Sequence, residues 1–512
     1  MPSNKSKTKS IKNSVGRMAF VAISLLLQIG WIVSLITRAN RYYPYITLIT
    51  ELLALVVVVR IHSRYRNSAS KISWIVLIMF FPVLGLCLYL LVGQPWATRT
   101  IRRRFENIDR NLVELMPQPT GVLEALKAED AAAGNLSGYL RNWCGFPVYQ
   151  NTRVEFHSQG EIAFEELKRE LRRAERFIFM EYHAIELSRC FLEIEDILAE
   201  RAAAGVEVRL FYDDVGSFTF IGPRFVQRMK ERGIDCRVFN PMLPIISPFM
   251  NNRDHRKITV IDGRVGFTGG YNLADEYFNV KHPYGHWKDT GVKLTGDAVR
   301  SLTVMFLEMW NASTRTDSDY SRYMAQIPPV EDASGYVQPY ADSPLDDERV
   351  GENVYLNMLK NARSYCWITT PYLILDDEMT HELVLAAKRG VDVRIITPGI
   401  PDKKTVFKLT RSYYGQLIRG GVRIYEYTPG FVHAKQMLCD DVSAVVGTIN
   451  LDYRSLYLHF ENAVLFRDCP AVAALRSDFE QTFPLCCEQT ADISDKRMSM
   501  PQSLLRLFAP LL

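Results

Sequence analysis

The chain has 512 residues, long enough for two or three domains. Its 61 basic and 57 acidic side chains leave a net charge of only +4, too mild to argue for a nucleic-acid partner. Nine scattered cysteines, an odd number with no Cys-x-x-Cys pair, argue against a disulfide framework or a zinc site and fit a reducing compartment.

The long apolar runs sit at the start. Residues 18–37 form one behind a basic head of Lys5, Lys7, Lys9, Lys12 and Arg17. Its length, and the second run directly behind it, argue against a cleaved signal peptide. Residues 45–59 form a shorter run that carries Glu51. Residues 73–93 form the strongest run, and as one helix it would extend ~31 Å. Trp74, Tyr89 and Trp96 sit near its ends, where an aromatic belt would lie. Residues 1–98 are therefore expected to be a membrane anchor of transmembrane helices. Basic residues flank every run: the head, then Arg60, Arg64, Arg66 and Lys71, then Arg99, Arg102, Arg103 and Arg104. These clusters cannot all be cytoplasmic if every run is a full span. Either an early run lies in the interface or the third is re-entrant, with Pro82 and Gly85 permitting a break. Both readings give a multi-pass protein of the cell membrane with its C-terminal bulk on the cytoplasmic side.

Residues 99–145 read as a connecting segment. From residue 146 strand and helix patterns alternate. Residues 177–182 read as a buried strand, 193–204 as a helix stopped by Gly205, and 206–212 as the next strand. The same order recurs in residues 365–370, in 378–389 closed by Gly390, and in 391–396. This alternation predicts the α/β class with largely parallel strands. Two copies predict two packed domains, 146–315 and 346–490, related by a pseudo-two-fold. Residues 316–345, rich in Asp, Ser and Pro, read as the linker. The tail, 491–512, is amphipathic: Leu504, Leu505, Leu507, Phe508, Leu511 and Leu512 could rest on a bilayer or dock on a domain.

The sharpest signal is a motif that occurs twice. His255-x-Lys257 runs on to Asp262, and His433-x-Lys435 runs on to Asp440. Each Asp is followed, after six residues, by a tetrad: Gly269-Gly270-Tyr271-Asn272 and Gly447-Thr448-Ile449-Asn450. On a strand, His and Lys two positions apart point the same way. Asp262-Gly263 and Asp440-Asp441 then read as hairpin turns, so both Asp residues complete the motif while fixing a turn more than touching substrate. The small tetrad residues would let backbone approach a ligand closely, and Asn272 and Asn450 would donate amide hydrogens into the same space. Two His, two Lys and two Asn suit a phosphate group. One His can attack phosphorus and the other can protonate the leaving oxygen, while Lys and Asn stabilise the crowded oxygens. No carboxylate cluster calls for a metal, so neither metal nor cofactor is expected. Each imidazole should have an orienting carboxylate, and Asp289, 34 residues after His255, and Glu461, 28 residues after His433, are the candidates.

These motifs resemble the phospholipase D superfamily. Within it, the chain resembles the bacterial cardiolipin synthases through Trp74, Pro82, Gly85 and Tyr89, through residues 252–257, and through Thr370-Pro371-Tyr372. Residues 450–455, Phe460-Glu461 and the tail at 505–512 carry the likeness further. His459, where the family often has Asn, and Thr448, for Ser, depart from it without removing a proposed catalytic group. The resemblance implies two α/β/α sandwich domains. It implies a catalytic set of His255, Lys257, Asp262, His433, Lys435 and Asp440, supported by Asn272, Asn450, Asp289 and Glu461. It also implies ping-pong phosphatidyl transfer: His255 attacks one phosphatidylglycerol, glycerol leaves, and the hydroxyl of a second takes the group to give cardiolipin, with His433 as acid and base. The implied partners are phosphatidylglycerol and membrane lipids, not nucleic acid. Two other readings stand beside this one. The first is a phospholipase D-type phosphodiesterase that passes the group to water and releases phosphatidic acid. The second is a non-catalytic membrane scaffold, against which stands that no motif His or Lys is lost from either half.

Overall fold

The structure, a computed structural model, describes residues 19, 22–23, 25–27, 29–38, 44–63, 67–93, 99–242, 249–314, 316–317, 319–490 and 500–511. The basic head, part of the first apolar run, Arg64, Arg66, Trp96, Leu512 and residues 491–499 of the tail lie outside the described residues.

Residues 29–38 are helical, followed by α1 (Pro44–Ser63). The third apolar run is not one helix. It divides into α2 (Ser68–Phe80) and α3 (Pro82–Val92), because Phe81 turns out of helical geometry at φ −132° and ψ 71° and Pro82 starts the next helix. No helix among the described residues is long and apolar enough to cross a membrane. Ala54 and Ile61 of α1 pack with Ile78, Leu86 and Tyr89 of the α2–α3 hairpin.

The segment read as a connector is built into the body. Helix α4 (Arg99–Val113) buries Phe105, Ile108 and Leu112 in the core shared by both halves. After α5 (Val122–Glu129), α6 (Ala131–Asn142) sends Leu136 and Leu140 into the core of the second half.

The first half then runs β1 (Thr152–His157), α7 (Gly160–Arg172), β2 (Phe177–Tyr182), α8 (Arg189–Ala203), β3 (Glu207–Asp213), β4 (Asp235–Phe239), β5 (Arg253–Asp254), β6 (Lys257–Ile261), β7 (Val265–Gly269), β8 (His286–Lys288), β9 (Gly291–Gly296) and α9 (Val299–Ser313). The second runs β10 (Tyr336–Asp342), α10 (Val350–Asn361), β11 (Tyr365–Thr369), α11 (Asp377–Lys388), β12 (Asp392–Pro398), α12 (Lys404–Arg419), β13 (Arg423–Tyr427), β14 (Gly430–Val432), β15 (Gln436–Cys439), β16 (Ser443–Gly447), β17 (His459–Arg467), α13 (Pro470–Thr482) and β18 (Cys486–Gln489). The tail helix is α14 (Met500–Phe508). Strand β10 lies wholly inside the stretch read as linker, so the second sheet begins earlier than the sequence suggests.

The sheets share one plan. The first is ordered β1-β9-β7-β6-β2-β3-β4, and the second β10-β17-β16-β15-β11-β12-β13-β18. In each, three strands are parallel, β2-β3-β4 and β11-β12-β13, while the motif strands join by antiparallel hairpins. The sheets are therefore mixed rather than largely parallel, because the turn after each His-x-Lys strand sends the chain straight back beside itself. Helices cover one face of β2 and β3, where Ile178, Met180 and Leu210 meet Leu167, Leu171 and Ile194. The other faces of the two sheets meet in a single core, with Phe179 stacked on Phe306 of α9 at 4.5 Å and with Leu438 and Val446 from the second sheet. Coverage on both sides explains why β2 is buried throughout and apolar at every position but Glu181.

Asp262 and Asp440 sit at the turns with φ of 55° and 56°. The Asp262 carboxylate accepts backbone N–H bonds from Glu175, Arg176 and Phe177 at 2.7–2.9 Å, and Asp440 does the same for Arg363, Ser364 and Tyr365. Each ties its hairpin to the start of the neighbouring strand. Both lie about 20 Å of strand away from their histidines, so they leave the catalytic set. Asp262→Ala should strand three amides and cost about 2–4 kcal/mol. Thermal unfolding of the detergent-solubilised protein should show the loss, and turnover per folded molecule should stay near that of the parent.

Candidate active site

Each motif histidine enters the site on a strand that the opposite half completes. Strand β5 runs parallel to β17, with Arg253 opposite His459 and Asp254 opposite Phe460, and the His255 N–H donates to the Phe460 carbonyl at 2.9 Å. Strand β14 runs parallel to β8, with Val432 opposite Lys288, and the His433 N–H donates to the Lys288 carbonyl at 2.8 Å. The residue after Phe460 is Glu461, and the residue after Lys288 is Asp289. Each imidazole thus arrives beside the other half's carboxylate.

His255 Nδ1 lies 2.9 and 3.0 Å from the two Glu461 oxygens, and His433 Nδ1 lies 2.7 Å from Asp289 Oδ2. Sequence order sets Asp289 behind His255 and Glu461 behind His433; the structure crosses these pairs. A carboxylate on Nδ1 holds that nitrogen as the donor and leaves Nε2 as the free base. Both carboxylates are fully buried. Glu461 also accepts from Ser455 Oγ at 2.5 Å and from Thr448 Oγ1, and Asp289 Oδ1 accepts from the Thr290 N–H at 3.0 Å. A buried salt bridge fixes β5: Arg253 Nε and Nη2 reach Asp213 at 2.9–3.1 Å, and the Asp254 N–H reaches it at 3.0 Å.

The glycine at position 270 serves this crossing. A Cβ there would lie 2.0 Å from Asp289 Oδ1 and 3.0 Å from the His433 carbonyl. The close approach that the tetrad permits at Gly270 is to the Asp289 carboxylate. In the second half the same position holds Thr448, whose hydroxyl reaches Glu461.

Lys257 Nζ donates to the His255 carbonyl at 2.6 Å, and Lys435 Nζ donates to the His433 carbonyl. Lys435 Nζ is also 2.9 Å from His433 Nδ1, a nitrogen whose proton goes to Asp289, so that contact is an approach of two donors. The lysines are 1% exposed and the histidines 7–8% exposed, so only an imidazole edge faces solvent. The asparagines behave differently from each other. Asn272 accepts from the Ala184 N–H at 3.0 Å and donates to Tyr277 Oη at 2.9 Å, which makes it a brace with one amide hydrogen already used. The Asn450 side-chain oxygen is buried without a hydrogen-bond partner.

Several neighbours carried little or no sequence signal. His183 lies edge-on to His255 at 4.9 Å with Nδ1 bonded to the Asp254 carbonyl at 2.7 Å, and nothing local to it in sequence marks it out. His459 lies 5.4 Å from His255, and its Nδ1 approaches Glu461 Oε1 at 3.7 Å. Tyr277, Trp287 and Phe431 wall His433 at 5.3, 5.4 and 6.0 Å. His255, His459 and Glu461 have ligand atoms within 4.8 Å of one another, a spacing that a metal ion could use. Lys257 and Lys435 crowd the same buried space with positive charge, so the donor set fits an anion better than a cation.

Burial sets the protonation states. It holds His433 down to about 4, with Lys435 adding to the effect, and pushes His255 well below the usual imidazole range. Burial likewise lowers Lys435 to about 7 and Lys257 to about 8. A phosphodiester anion in the site would favour the charged form of every one of these groups.

Comparison with known proteins places the chain among relatives. The family described as "Cardiolipin synthase, PLD-like domain" matches residues 167–310 and 355–483. The one described as "Phospholipase_D-nuclease N-terminal" matches residues 52–94. An uncharacterised protein of Streptococcus mutans is 44% identical over 87% of this chain and 97% of its own length. A cardiolipin synthase of Halalkalibacterium halodurans is 35% identical over 81% of this chain and 82% of its own. Cardiolipin synthase 2 of Bacillus cereus is 33% identical over 87% of this chain and 88% of its own. Among solved structures, the phosphatidylserine synthase of Haemophilus influenzae has the same fold, with a TM-score of 0.56 at 16% identity over 74% of this chain and 97% of that one.

Two outcomes follow from this geometry. Asp289→Asn and Glu461→Gln should each cut turnover about 10²–10⁴-fold, and adding either to the loss of its own histidine partner should change little more. Because burial lowers the lysines, raising the pH through about 7 and then about 8 should strip Lys435 and Lys257 of charge and raise KM for an anionic phosphodiester. Lys435→Arg, which keeps its charge, should remove the first of these steps from a KM–pH profile.

Proposed function

The chain belongs to the family of phospholipase D-like cardiolipin synthases, and we propose that it makes cardiolipin by moving a phosphatidyl group from one phosphatidylglycerol to the hydroxyl of a second. The observation that carries this reading is the crossed pair: two imidazoles, each oriented by a buried carboxylate of the other half, in one space with two buried lysines.

In the first step the Nε2 lone pair of His255 attacks phosphorus. The bond to the glycerol oxygen breaks, and His433 Nε2 gives that oxygen a proton. The Nδ1 proton of His255 stays on Glu461's side, so the charge that forms on the imidazole is balanced by a carboxylate. Lys257 and Lys435 stabilise the non-bridging oxygens as they crowd. His433 is held neutral in the empty site, so the phosphodiester's own negative charge brings it the proton it must give. In the second step the hydroxyl of another phosphatidylglycerol gives its proton to His433 and attacks the phosphatidyl-histidine. His255 leaves, and cardiolipin is released. The phosphate-ester energy is kept throughout, so the cycle is reversible and consumes no nucleotide.

The apolar segments in residues 1–98, with basic clusters beside them, support attachment to a cell membrane with both domains on the cytoplasmic side. There a lipid alcohol is present at high local concentration, which favours transfer over hydrolysis. Purified protein given phosphatidylglycerol vesicles should release glycerol and form cardiolipin, read by lipid mass spectrometry. Phosphatidic acid without a dimeric lipid would replace this reading with a hydrolase. Rapid quenching in a mildly alkaline denaturant, which spares the acid-labile phosphorus–nitrogen bond, should recover the phosphatidyl group on His255, and recovery on His433 would exchange the two roles.

A further inference from the structure

We propose that the α2–α3 hairpin enters only one leaflet of an anionic phospholipid bilayer and returns to the side it came from, fixing the catalytic domains at headgroup level. The proposal rests on the reading that the enzyme acts on membrane lipid and adds to it a depth and a topology.

Both ends of the hairpin are held by the catalytic body. Before α2, Asn67 Nδ2 donates to Asp376 Oδ2 at 2.8 Å and to Tyr457 Oη at 3.0 Å. Within the first turns of α2, Ser73 Oγ donates to the Leu507 carbonyl of the tail helix at 2.6 Å. That tail helix is itself docked, with Arg506 over the Tyr413 ring at 4.1 Å and bonded to Gln416 at 3.2 Å. After α3, helix α4 lies on the body, with Phe105 stacked on Phe460 at 5.1 Å and Arg104 bonded to the Ser313 carbonyl. A single span would carry these two attachment points to opposite sides of the membrane.

The arms are also too short to cross. Thirteen and eleven residues make helices of about 20 and about 17 Å, against a hydrocarbon core of about 30 Å. Gly85 lets the arms touch, since a Cβ there would lie 2.7 Å from the Ile78 Cα. Part of the turn's backbone is paired internally. The Phe81 N–H donates to the Leu77 carbonyl, the Gly85 N–H donates to the Phe81 carbonyl, and Pro82 has no N–H to satisfy.

Polarity grades along the hairpin. Its turn presents Met79, Phe80 and Phe81, all exposed, with Phe80 at 77%. Its base carries Ser68 and Lys71, and Arg99, Arg103 and Arg104 follow at the start of α4. An apolar tip with a basic collar matches acyl chains beneath anionic headgroups, the phosphate chemistry of the proposed substrate. The collar also lies close to the site, because Tyr457, which holds Asn67, is four residues from Glu461.

The test uses the full-length protein in membranes. Ser68→Cys and Thr100→Cys, both at exposed positions, are placed singly in a background with Cys87, Cys144, Cys486 and Cys487 changed to Ser and treated with a membrane-impermeant maleimide. Both should label in sealed inverted vesicles and lose that labelling in intact spheroplasts. Labelling of the two from opposite faces would overturn the proposal. Phe81→Cys carrying a fluorophore should be quenched by lipids bearing a quencher along the acyl chain. Reaction of that cysteine with the impermeant reagent from the outer face would equally overturn it. Neither readout needs turnover, so a failed transferase assay and a failed hairpin remain separate results.

Discussion

The structure depends on an exchange of backbone between its halves. Two or three residues before each motif histidine lie outside their own half's main sheet and pair in parallel with a strand from the other half. The exchange places His255 on Glu461 and His433 on Asp289, so neither half holds a complete dyad. Further bonds between the halves surround it. Asn462 reaches Thr268 at 2.9 Å, Thr290 reaches Gln436 at 2.8 Å, and Lys288 reaches Asp478 at 2.6 Å. The shared apolar core beneath supplies most of the adhesion. The short parallel strands supply the register, because main-chain bonds do not tolerate a slip of one residue.

Burial follows from the same docking, and it explains why this site is reactive. Two lysines and two histidines in a dry pocket would repel one another if all were charged. They relieve this by giving up protons, with the imidazoles neutral and the lysines' proton affinity lowered toward neutrality. An anionic phosphodiester reverses the balance. The energy that disfavours positive charge in the empty site becomes attraction for the substrate, and it falls hardest on the phosphoryl oxygens that gain charge in the transition state.

Much of this was legible in the sequence, and the rest was hidden for identifiable reasons. His255, Lys257, His433 and Lys435 stood out because their spacing repeats, and the Asp-Gly turn after the first strand already weakened the case for Asp262. Asp289 and Glu461 were found, but not their partners, because periodicity describes strands within a sheet and says nothing about which half a loop pairs with. From sequence the tetrad reads as making room for a ligand, whereas at Gly270 it makes room for the carboxylate of Asp289, a residue 144 positions away from the histidine it serves and tied to it by no recognisable pattern. His183 had no signal because a lone histidine after a buried strand resembles any other. The break at Phe81-Pro82 was visible, since proline dictates it locally. Strand β10 was not, since Asp, Ser and Pro around it dominate the composition.

The pseudo-two-fold is broken where the two histidines must differ. Around His255 stand His183 and His459, and two hydroxyls, of Thr448 and Ser455, fix the carboxylate that balances charge on its imidazole. Around His433 stand Tyr277, Trp287 and Phe431, with a glycine where the other half has Thr448. Aromatic walls make a setting in which an imidazolium is poorly solvated and gives its proton up readily. The polar side suits the histidine that carries the phosphatidyl group between two alcohols, and the apolar side suits the one that must protonate the first alcohol and deprotonate the second.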